Sequence, residues 1–283
     1  MTFLPPEMDG AIDLHVHSAP DIVERRYSDI ELAEESRRAG MGAILIKSHQ
    51  NSTVERAWLV SKMVRGIGVH GGLVLNETVG GFNASAVRLA LKLGAREIWM
   101  PTQSARNHLL HYGQIKDSEP GGLTAFSPGG GLRPEVEAIL RAVAGTNCIL
   151  GTGHLSPEEG LAVIERALEL GHRRILVTHP EWAPTLYPNA LQKALASRGV
   201  MFERCFVSTT HRCGFVPFET IESAIAAAGV SSTILASDLG QPDTPPPVEG
   251  FRIFSERLRA AGFSRDDLRR MTVDNPRRLL FNE

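Results

Sequence analysis

The chain has 283 residues, of which 42% are hydrophobic, and its 30 lysines and arginines nearly balance 32 aspartates and glutamates. This length suits two average domains or one large α/β barrel. A formal charge of −2 argues against a nucleic-acid-binding protein, which would carry a basic excess. The sequence contains neither a signal-peptide pattern nor an apolar run long enough to cross a membrane, so we expect a soluble protein without a membrane partner.

The three cysteines form no Cys-x-x-Cys pair. An odd number of cysteines without this motif is typical of reduced thiols in a cytoplasmic protein, and it argues against a disulfide framework. We expect Cys148 to pack as a small apolar residue, and we assign no nucleophilic role to Cys205 or Cys213.

Hydrophobic periodicity predicts eight strands that alternate with eight amphipathic helices. The strands are predicted near residues 11–17, 43–49, 70–76, 96–101, 148–154, 173–179, 200–206 and 232–238. The helices are predicted near 29–40, 52–66, 83–94, 133–145, 157–171, 186–198, 217–229 and 249–262. Eight such units favour a closed parallel (β/α)8 barrel over an open doubly wound sheet, as a single domain covering residues 1–283.

Two connections contain no predicted helix or strand. The longer one, about residues 102–132, is rich in glycine, and the shorter one, residues 240–247, follows the eighth strand. A connection this long without regular structure is more often a lid or a binding loop than a simple linker. We interpret His108, His111 and His211, which fall in connections, as solvated loop histidines.

The first predicted strand ends in His15-Val16-His17. Side chains two residues apart on a strand share a face, so both imidazoles can bind one metal ion. Three later predicted strands also end in a potential ligand, namely His154, His179 and Asp238. The carboxyl ends of barrel strands meet at one face, where the active sites of such barrels lie. The pattern therefore predicts a metal site there.

The order and strand positions of these residues resemble the amidohydrolase superfamily of metal-dependent TIM-barrel hydrolases, as an uncharacterised branch of it. The segment Asn275-Pro276-Arg277-Arg278-Leu279-Leu280 is similar to an Asn-Pro-Ala-x-Leu-Leu element near the end of that superfamily. The resemblance covers nearly the whole chain. It implies a metal-dependent hydrolase with the metal ligands His15, His17, His154, His179 and Asp238.

The chemistry of these residue types agrees with that expectation. Neutral imidazole and carboxylate bind zinc and similar divalent ions, and a bound metal lowers the pKa of water from about 15.7 toward about 7. Asp238 can bind the metal, orient the water and carry its proton to the leaving group. We expect a divalent ion, with zinc favoured, and a small-molecule amide, lactone or ester as substrate.

The fourth predicted strand lacks the carboxylated lysine that often bridges two metals in binuclear relatives. The number of ions, one or two, therefore stays open. Lys47 and His49 lie two residues apart at the end of the second predicted strand, so both can reach the site. A carboxylated Lys47 would supply an oxygen pair to bridge two ions. The alternative is an unmodified lysine that contacts the substrate or a neighbouring acid.

Three residues are predicted to contact substrate: His49, Glu203 and Arg204. Arginines in the connections, among them Arg25 and Arg212, suit a small anionic substrate. The alternatives to hydrolysis are non-oxidative decarboxylation, which related mononuclear barrels perform, and a non-catalytic metal- or ligand-binding barrel. A phosphoesterase is a further alternative, although Ser48 replaces the aspartate of its Thr-Asp-His element. A homo-oligomer also stays open.

Overall fold

A computed structural model describes residues 4–281 and confirms a (β/α)8 barrel. All eight predicted strands are present: β1 Ile12–Val16, β2 Ala43–Ile46, β3 Gly68–Val74, β4 Glu97–Trp99, β5 Ile149–Gly151, β6 Ile175–Thr178, β7 Met201–Cys205 and β8 Thr233–Ala236. They are parallel and pair in sequence order from β1 to β8. The ends of the predicted domain, residues 1–3 and 282–283, lie outside the described residues.

Each strand is followed by a helix. The helices are α1 Asp29–Arg38, α2 Val54–Met63, α3 Ala84–Leu93, α4 Arg106–His111, α5 Pro134–Val143, α6 Pro157–Glu169, α7 Asn189–Ala196, α8 Phe218–Ala228, α9 Pro247–Ala260, α10 Arg265–Arg269 and α11 Asn275–Phe281. A π-helical turn, Arg270–Asp274, joins the last two. Within the described residues, no helix combines the length and apolar character that crossing a membrane requires.

Local sequence explains where several helices begin. Ser28, Ser156 and Ser264 accept hydrogen bonds from the third residue of α1, α6 and α10, and the acidic side chain at that position bonds back to the serine N–H. This capping box satisfies two N–H groups that a helix start otherwise leaves unpaired.

Backbone hydrogen bonds beyond β8 close the barrel at its carboxyl end. The N–H of His17 donates to the Leu239 carbonyl at 2.8 Å, and the N–H of Asp238 donates to the His15 carbonyl at 2.7 Å. Asp13 Oδ1 accepts from the N–H groups of His15 and Ser237, each at 3.1 Å. The buried Asp13 carboxylate thus joins β1 to the segment that carries Asp238.

The core has three parts. Two apolar clusters fill the space between the strands and the surrounding helices. A third draws one or two side chains from every strand, among them the fully buried Trp99, and continues into Leu279 and Leu280 of α11. Helix α11 therefore packs against the barrel interior.

The prediction that residues 102–132 contain no helix is wrong for one stretch, because the short helix α4 lies there. The Arg106 guanidinium at the start of α4 donates to the carbonyls of Asp117, Glu119 and Gly121 at 2.7–3.0 Å. One side chain thus organises the loop through backbone carbonyls. Sequence periodicity does not report such a contact, because it involves no repeating apolar positions.

Candidate metal centre

The predicted ligands come together at the carboxyl end of the barrel. His15 lies on β1 and His17 directly after it, while His154, His179 and Asp238 follow β5, β6 and β8. The four histidines are no more than 5% exposed. The side chain of Asp238 keeps 14% of its surface exposed, so this carboxylate faces the opening of the site.

Five imidazoles form a closed ring of neighbours. Following the ring from His15 through His17, His49, His154 and His179 back to His15, the centroids are 5.4, 5.0, 6.1, 5.0 and 6.2 Å apart. His49, predicted as a substrate contact, belongs to the same ring. Four separate strands supply these side chains, and the barrel brings them to one place.

In His15 and His17, one ring nitrogen is held by a protein acceptor and the other faces Asp238. Nδ1 of His15 donates to Glu203 Oε2 at 3.0 Å, and Nδ1 of His17 donates to the Lys47 carbonyl at 2.8 Å. Both Nε2 atoms lie 3.0 Å from Asp238 Oδ1. Holding the far nitrogen in this way orients a metal-binding imidazole and fixes its tautomer.

His179 shows the same arrangement. The Thr185 hydroxyl donates to the His179 carbonyl at 2.9 Å, so its oxygen accepts from His179 Nδ1, which lies 3.3 Å away. This leaves Nε2 of His179 unprotonated.

The remaining two imidazoles are held through Nδ1 as well. Nδ1 of His154 lies 2.9 Å from Nδ1 of His108, and Nδ1 of His49 shares a hydrogen bond of 2.8 Å with the Thr102 hydroxyl. Throughout residues 4–281, no protein group hydrogen-bonds Nε2 of His49, His154 or His179. All five rings therefore have Nδ1 occupied, and three have Nε2 without a protein partner.

Burial keeps most of these imidazoles neutral. It lowers the pKa of His17 to about 4 and that of His179 to about 3, and it lowers the pKa values of His49 and His154 well below their ordinary value. Burial also disfavours the charged form of His15, but the carboxylates of Asp238 and Glu203 raise its pKa to about 9. A positive charge is thus favoured between these two acids.

Asp238 is held in an uncommon backbone conformation. Its φ is 51° and that of His179 is 30°, both in the left-handed region that non-glycine residues rarely adopt. Such conformations cost about 1–3 kcal/mol and concentrate at functional sites. Burial opposes ionisation, but His15 and His17 hold the pKa of the Asp238 carboxyl well below its usual range. Asp238 is therefore a carboxylate.

Lys47 points into the same cluster. Its side chain is fully buried, with Nζ 3.0 Å from Nε2 of His15 and 5.1 Å from the centroid of the Trp99 ring. The amine thus lies beside His15, and carboxylation of Lys47 stays a prediction. An ammonium group here would repel a bound metal ion, whereas a neutral or carboxylated amine would not.

Glu97 and Cys205 are two further buried groups near the site. Both oxygens of Glu97 lack a hydrogen-bond partner, and burial beside Glu203 raises the pKa of this carboxyl well above its ordinary value. Sγ of Cys205 lies 3.8 Å from Nδ1 of His15, and burial raises its pKa, so it is a thiol. This environment agrees with the expectation that Cys205 is not a nucleophile.

Arg204 does not reach the site, contrary to the prediction that it contacts substrate. Glu203 and Arg204 are neighbours on β7, so they face opposite sides of the sheet. Glu203 reaches His15, whereas the buried Arg204 guanidinium pairs with Glu181 and donates to Gln192 Oε1 at 2.7 Å. Its partners lie on the outer side of the barrel.

His108 differs from its expected role as a solvated loop residue. It lies on α4 and its ring stacks against His154 with centroids 4.9 Å apart. Burial lowers its pKa to about 4. Sequence reasoning missed this contact because α4 itself was not predicted, so the orientation of the side chain could not be inferred.

These residues fit a divalent metal ion. The donor set consists of imidazoles held through Nδ1, of which all but His15 are kept neutral by burial, and one carboxylate. Imidazole and carboxylate are ligands that zinc and similar ions prefer. A cation at Nε2 of His15 would also supply the positive charge that Asp238 and Glu203 favour there. His15, His17, His154, His179 and Asp238 therefore stay the predicted ligands. Among the described residues, the group whose ligand atoms all lie within 4.8 Å of one another consists of His15, Cys205 and Asp238.

Residues 10–203 match DUF6282, described as a family of unknown function. The chain belongs to this family. The comparison with curated proteins gives no match. The DUF6282 match spans β1 to β7, so it includes four of the five candidate ligands.

Solved structures share the fold over almost the full chain. An amidohydrolase from Pseudomonas aeruginosa has a TM-score of 0.64 at 13% identity, covering 97% of this chain and 96% of its own. A lactonase from Listeria monocytogenes has a TM-score of 0.62 at 12% identity, covering 100% of both chains. The organophosphorus hydrolase from Deinococcus radiodurans has a TM-score of 0.60 at 16% identity, covering 97% of this chain and 93% of its own. The resemblance to amidohydrolase barrels is confirmed at the level of the fold.

Proposed function

We propose that this protein is a metal-dependent hydrolase that cleaves an amide, lactone or ester bond of a small molecule. The observation that supports this most strongly is the ring of five imidazoles, each held through Nδ1, beside the carboxylate of Asp238. The fold is shared with an amidohydrolase and a lactonase, although it does not by itself specify a reaction.

Each residue has a role in this proposal. His15, His17, His154, His179 and Asp238 would hold a divalent ion, for which zinc is favoured. The bound ion would supply a water molecule that ionises near neutral pH. Asp238 is ionised and faces the opening, so it can accept the proton of that water and pass it to the leaving group.

The substrate would enter through a cavity of about 490 Å³ above His49, lined also by Arg25, Gln103, Arg212 and Gln241. Arg25 pairs with Asp21 at 2.8 Å and Arg212 with Asp243 at 2.6 Å. Because each guanidinium is matched by a carboxylate, the cavity carries little excess positive charge. Recognition of an anionic substrate stays a prediction.

The test uses protein reconstituted with zinc or manganese and assayed in oxygen-18-labelled water with 4-nitrophenyl acetate, δ-valerolactone and acetanilide. A hydrolase incorporates solvent oxygen into the acid product, and Asp238→Asn should lower the rate at least about 1000-fold. Hydrolysis that persists in Asp238→Asn at the native rate would contradict the assigned role. Carbon dioxide release from an aromatic acid, without hydrolysis of any ester, lactone or amide, would favour decarboxylation instead.

A further inference from the structure

A second cavity lies beside the metal centre, between the loops that follow β4, β6 and β7. Its volume is about 600 Å³, within the range of pockets that bind small molecules. Side chains with rings or apolar groups form much of its wall, among them His111, Tyr112, Trp182, Leu186, His211 and Val216. The proposed hydrolysis does not account for this cavity.

The rim of this cavity exposes large apolar side chains. Tyr112 is 47% exposed, Leu186 is 49% exposed and Phe215, between the lining residues Gly214 and Val216, is 65% exposed. Phe215 also has a left-handed φ of 56°, which makes it, with His179 and Asp238, one of three non-glycine residues with positive φ within residues 4–281. Exposed apolar groups and a rare backbone conformation together indicate a surface that a ligand covers.

Trp182 connects this cavity to the metal centre. Its indole lines the cavity, and its ring centroid lies 4.9 Å from that of His154 and 5.0 Å from that of His179. Arg212 lines both this cavity and the one above His49. Trp182 is thus a wall shared by the second cavity and the metal centre, and Arg212 borders both the second cavity and the one above His49.

An ion pair and two hydrogen bonds hold the part of the cavity wall that contains Trp182. Glu181, the residue before it, is buried and pairs with the guanidinium of Arg204. Nδ2 of Asn107 on α4 donates to the carbonyls of His154 and Pro184 at 3.0 and 2.7 Å. These contacts hold the cavity wall in a fixed position relative to the candidate ligand His154.

We propose that this cavity binds an aryl group of the substrate. Aromatic rings pack favourably against one another in offset or edge-to-face geometry, and four ring-bearing residues line the wall. The assignment of the aryl group to the substrate rests on the proposed function. Binding of an aryl compound to the cavity itself does not depend on hydrolysis, so the two can be tested apart.

The test is calorimetric titration of the metal-loaded protein with 2-naphthol, which presents two fused rings. Decahydro-2-naphthol has the same carbon skeleton without aromaticity and should bind at least about threefold more weakly. Leu186→Glu places a charge at the rim and should weaken 2-naphthol binding at least about tenfold. The matched control is Leu93→Glu on α3, because Leu93 is 46% exposed and lies outside the cavity.

The outcomes separate the two proposals. Weakened binding in Leu186→Glu with native binding in Leu93→Glu supports the aryl cavity. Equal affinity for 2-naphthol and its saturated analogue, or unchanged affinity in Leu186→Glu, would overturn it. Metal uptake is measured separately, and the titration is repeated without metal: a protein that binds 2-naphthol with the predicted loss in Leu186→Glu but takes up no metal would refute the metal-dependent hydrolase and leave aryl binding by the cavity intact.

Discussion

The two ends of the barrel both bury histidines, yet only one end resembles a metal site. At the carboxyl end, burial lowers the pKa of His17 to about 4, and at the amino end burial and the nearby Arg96 lower the pKa of His70 to the same value. A neutral imidazole is therefore present at both ends, buried in His17 and partly buried in His70. Burial and pKa alone do not distinguish a ligand from a packed core residue.

The difference lies in what surrounds each ring. At the amino end, His172 Nε2 donates to the Arg174 carbonyl at 3.2 Å, and His70 packs edge-on against Phe281 with centroids 5.5 Å apart. Among residues 4–281, neither is part of a ring of imidazoles or faces a carboxylate. At the carboxyl end, Nδ1 of all five rings is held. Nε2 faces Asp238 in His15 and His17, and in the other three rings it has no protein partner among residues 4–281. Convergence of oriented rings, not burial, marks the candidate metal centre.

The largest expected effect comes from replacing a histidine pair at each end. His15→Asn combined with His17→Asn removes two oriented donors, and the affinity for zinc should fall more than about 100-fold. His70→Asn combined with His172→Asn removes one buried and one partly buried histidine outside the cluster and should change the affinity less than about twofold. Competition with a chromophoric chelator measures the zinc affinity of both double variants. A similar loss from both double variants would mean that the two ends do not differ as we describe.

A smaller effect is expected from the two glutamates inside the barrel. Glu203→Gln replaces the carboxylate that holds Nδ1 of His15 and should lower zinc affinity about 10- to 100-fold. Glu97→Gln changes a carboxyl that contacts no ligand and is held protonated by burial, so the affinity should stay nearly native. Equal losses in both variants would argue against orientation of His15 by Glu203.

Lys47→Ala tests the carboxylated bridge. We propose that Lys47 is carboxylated and bridges two ions, since its Nζ lies 3.0 Å from Nε2 of His15. The variant should then bind one ion per chain where the native protein binds two, and added propionate should restore part of the lost activity. Lys62→Ala, on the exposed face of α2, is the control. Native protein that holds a single ion would rule out the bridge.

The smallest effect concerns pH and the metal-free protein. The folded pKa of His70 is about 4, below its ordinary value of 6.5, so the unfolded chain takes up a proton first as the pH falls. The free energy of unfolding should therefore decrease between about pH 6.5 and pH 4. In His70→Asn this decrease should be smaller by on the order of 2 kcal/mol. Urea unfolding at several pH values measures the free energy of unfolding. An identical decrease in the native protein and in His70→Asn would contradict the lowered pKa of His70.

Much of the fold follows from periodicity, because the barrel repeats one strand–helix unit whose apolar spacing is local. The same regularity places His15, His17, His154, His179 and Asp238 at strand ends. A histidine or aspartate at such an end can be recognised without knowing any distance, since parallel strands bring their carboxyl ends to one face.

The residues that support the site were less accessible to sequence reasoning. His108, Thr102 and Thr185 each contact a histidine of the ring, but all three lie in connections without a repeating pattern. Arg204 carries the charge expected of a substrate contact, yet the alternation of β7 directs it to Glu181. Which of two adjacent polar residues faces inward depends on strand register, which composition does not determine.

The most direct test of the metal centre is elemental analysis of the native protein, purified without chelators, together with titration of the metal-stripped protein with zinc, manganese, iron and nickel. We predict at least one divalent ion per chain, absent from the His15→Asn/His17→Asn variant and retained in the His70→Asn/His172→Asn variant. A native protein that contains no metal and binds none of the four ions would contradict it.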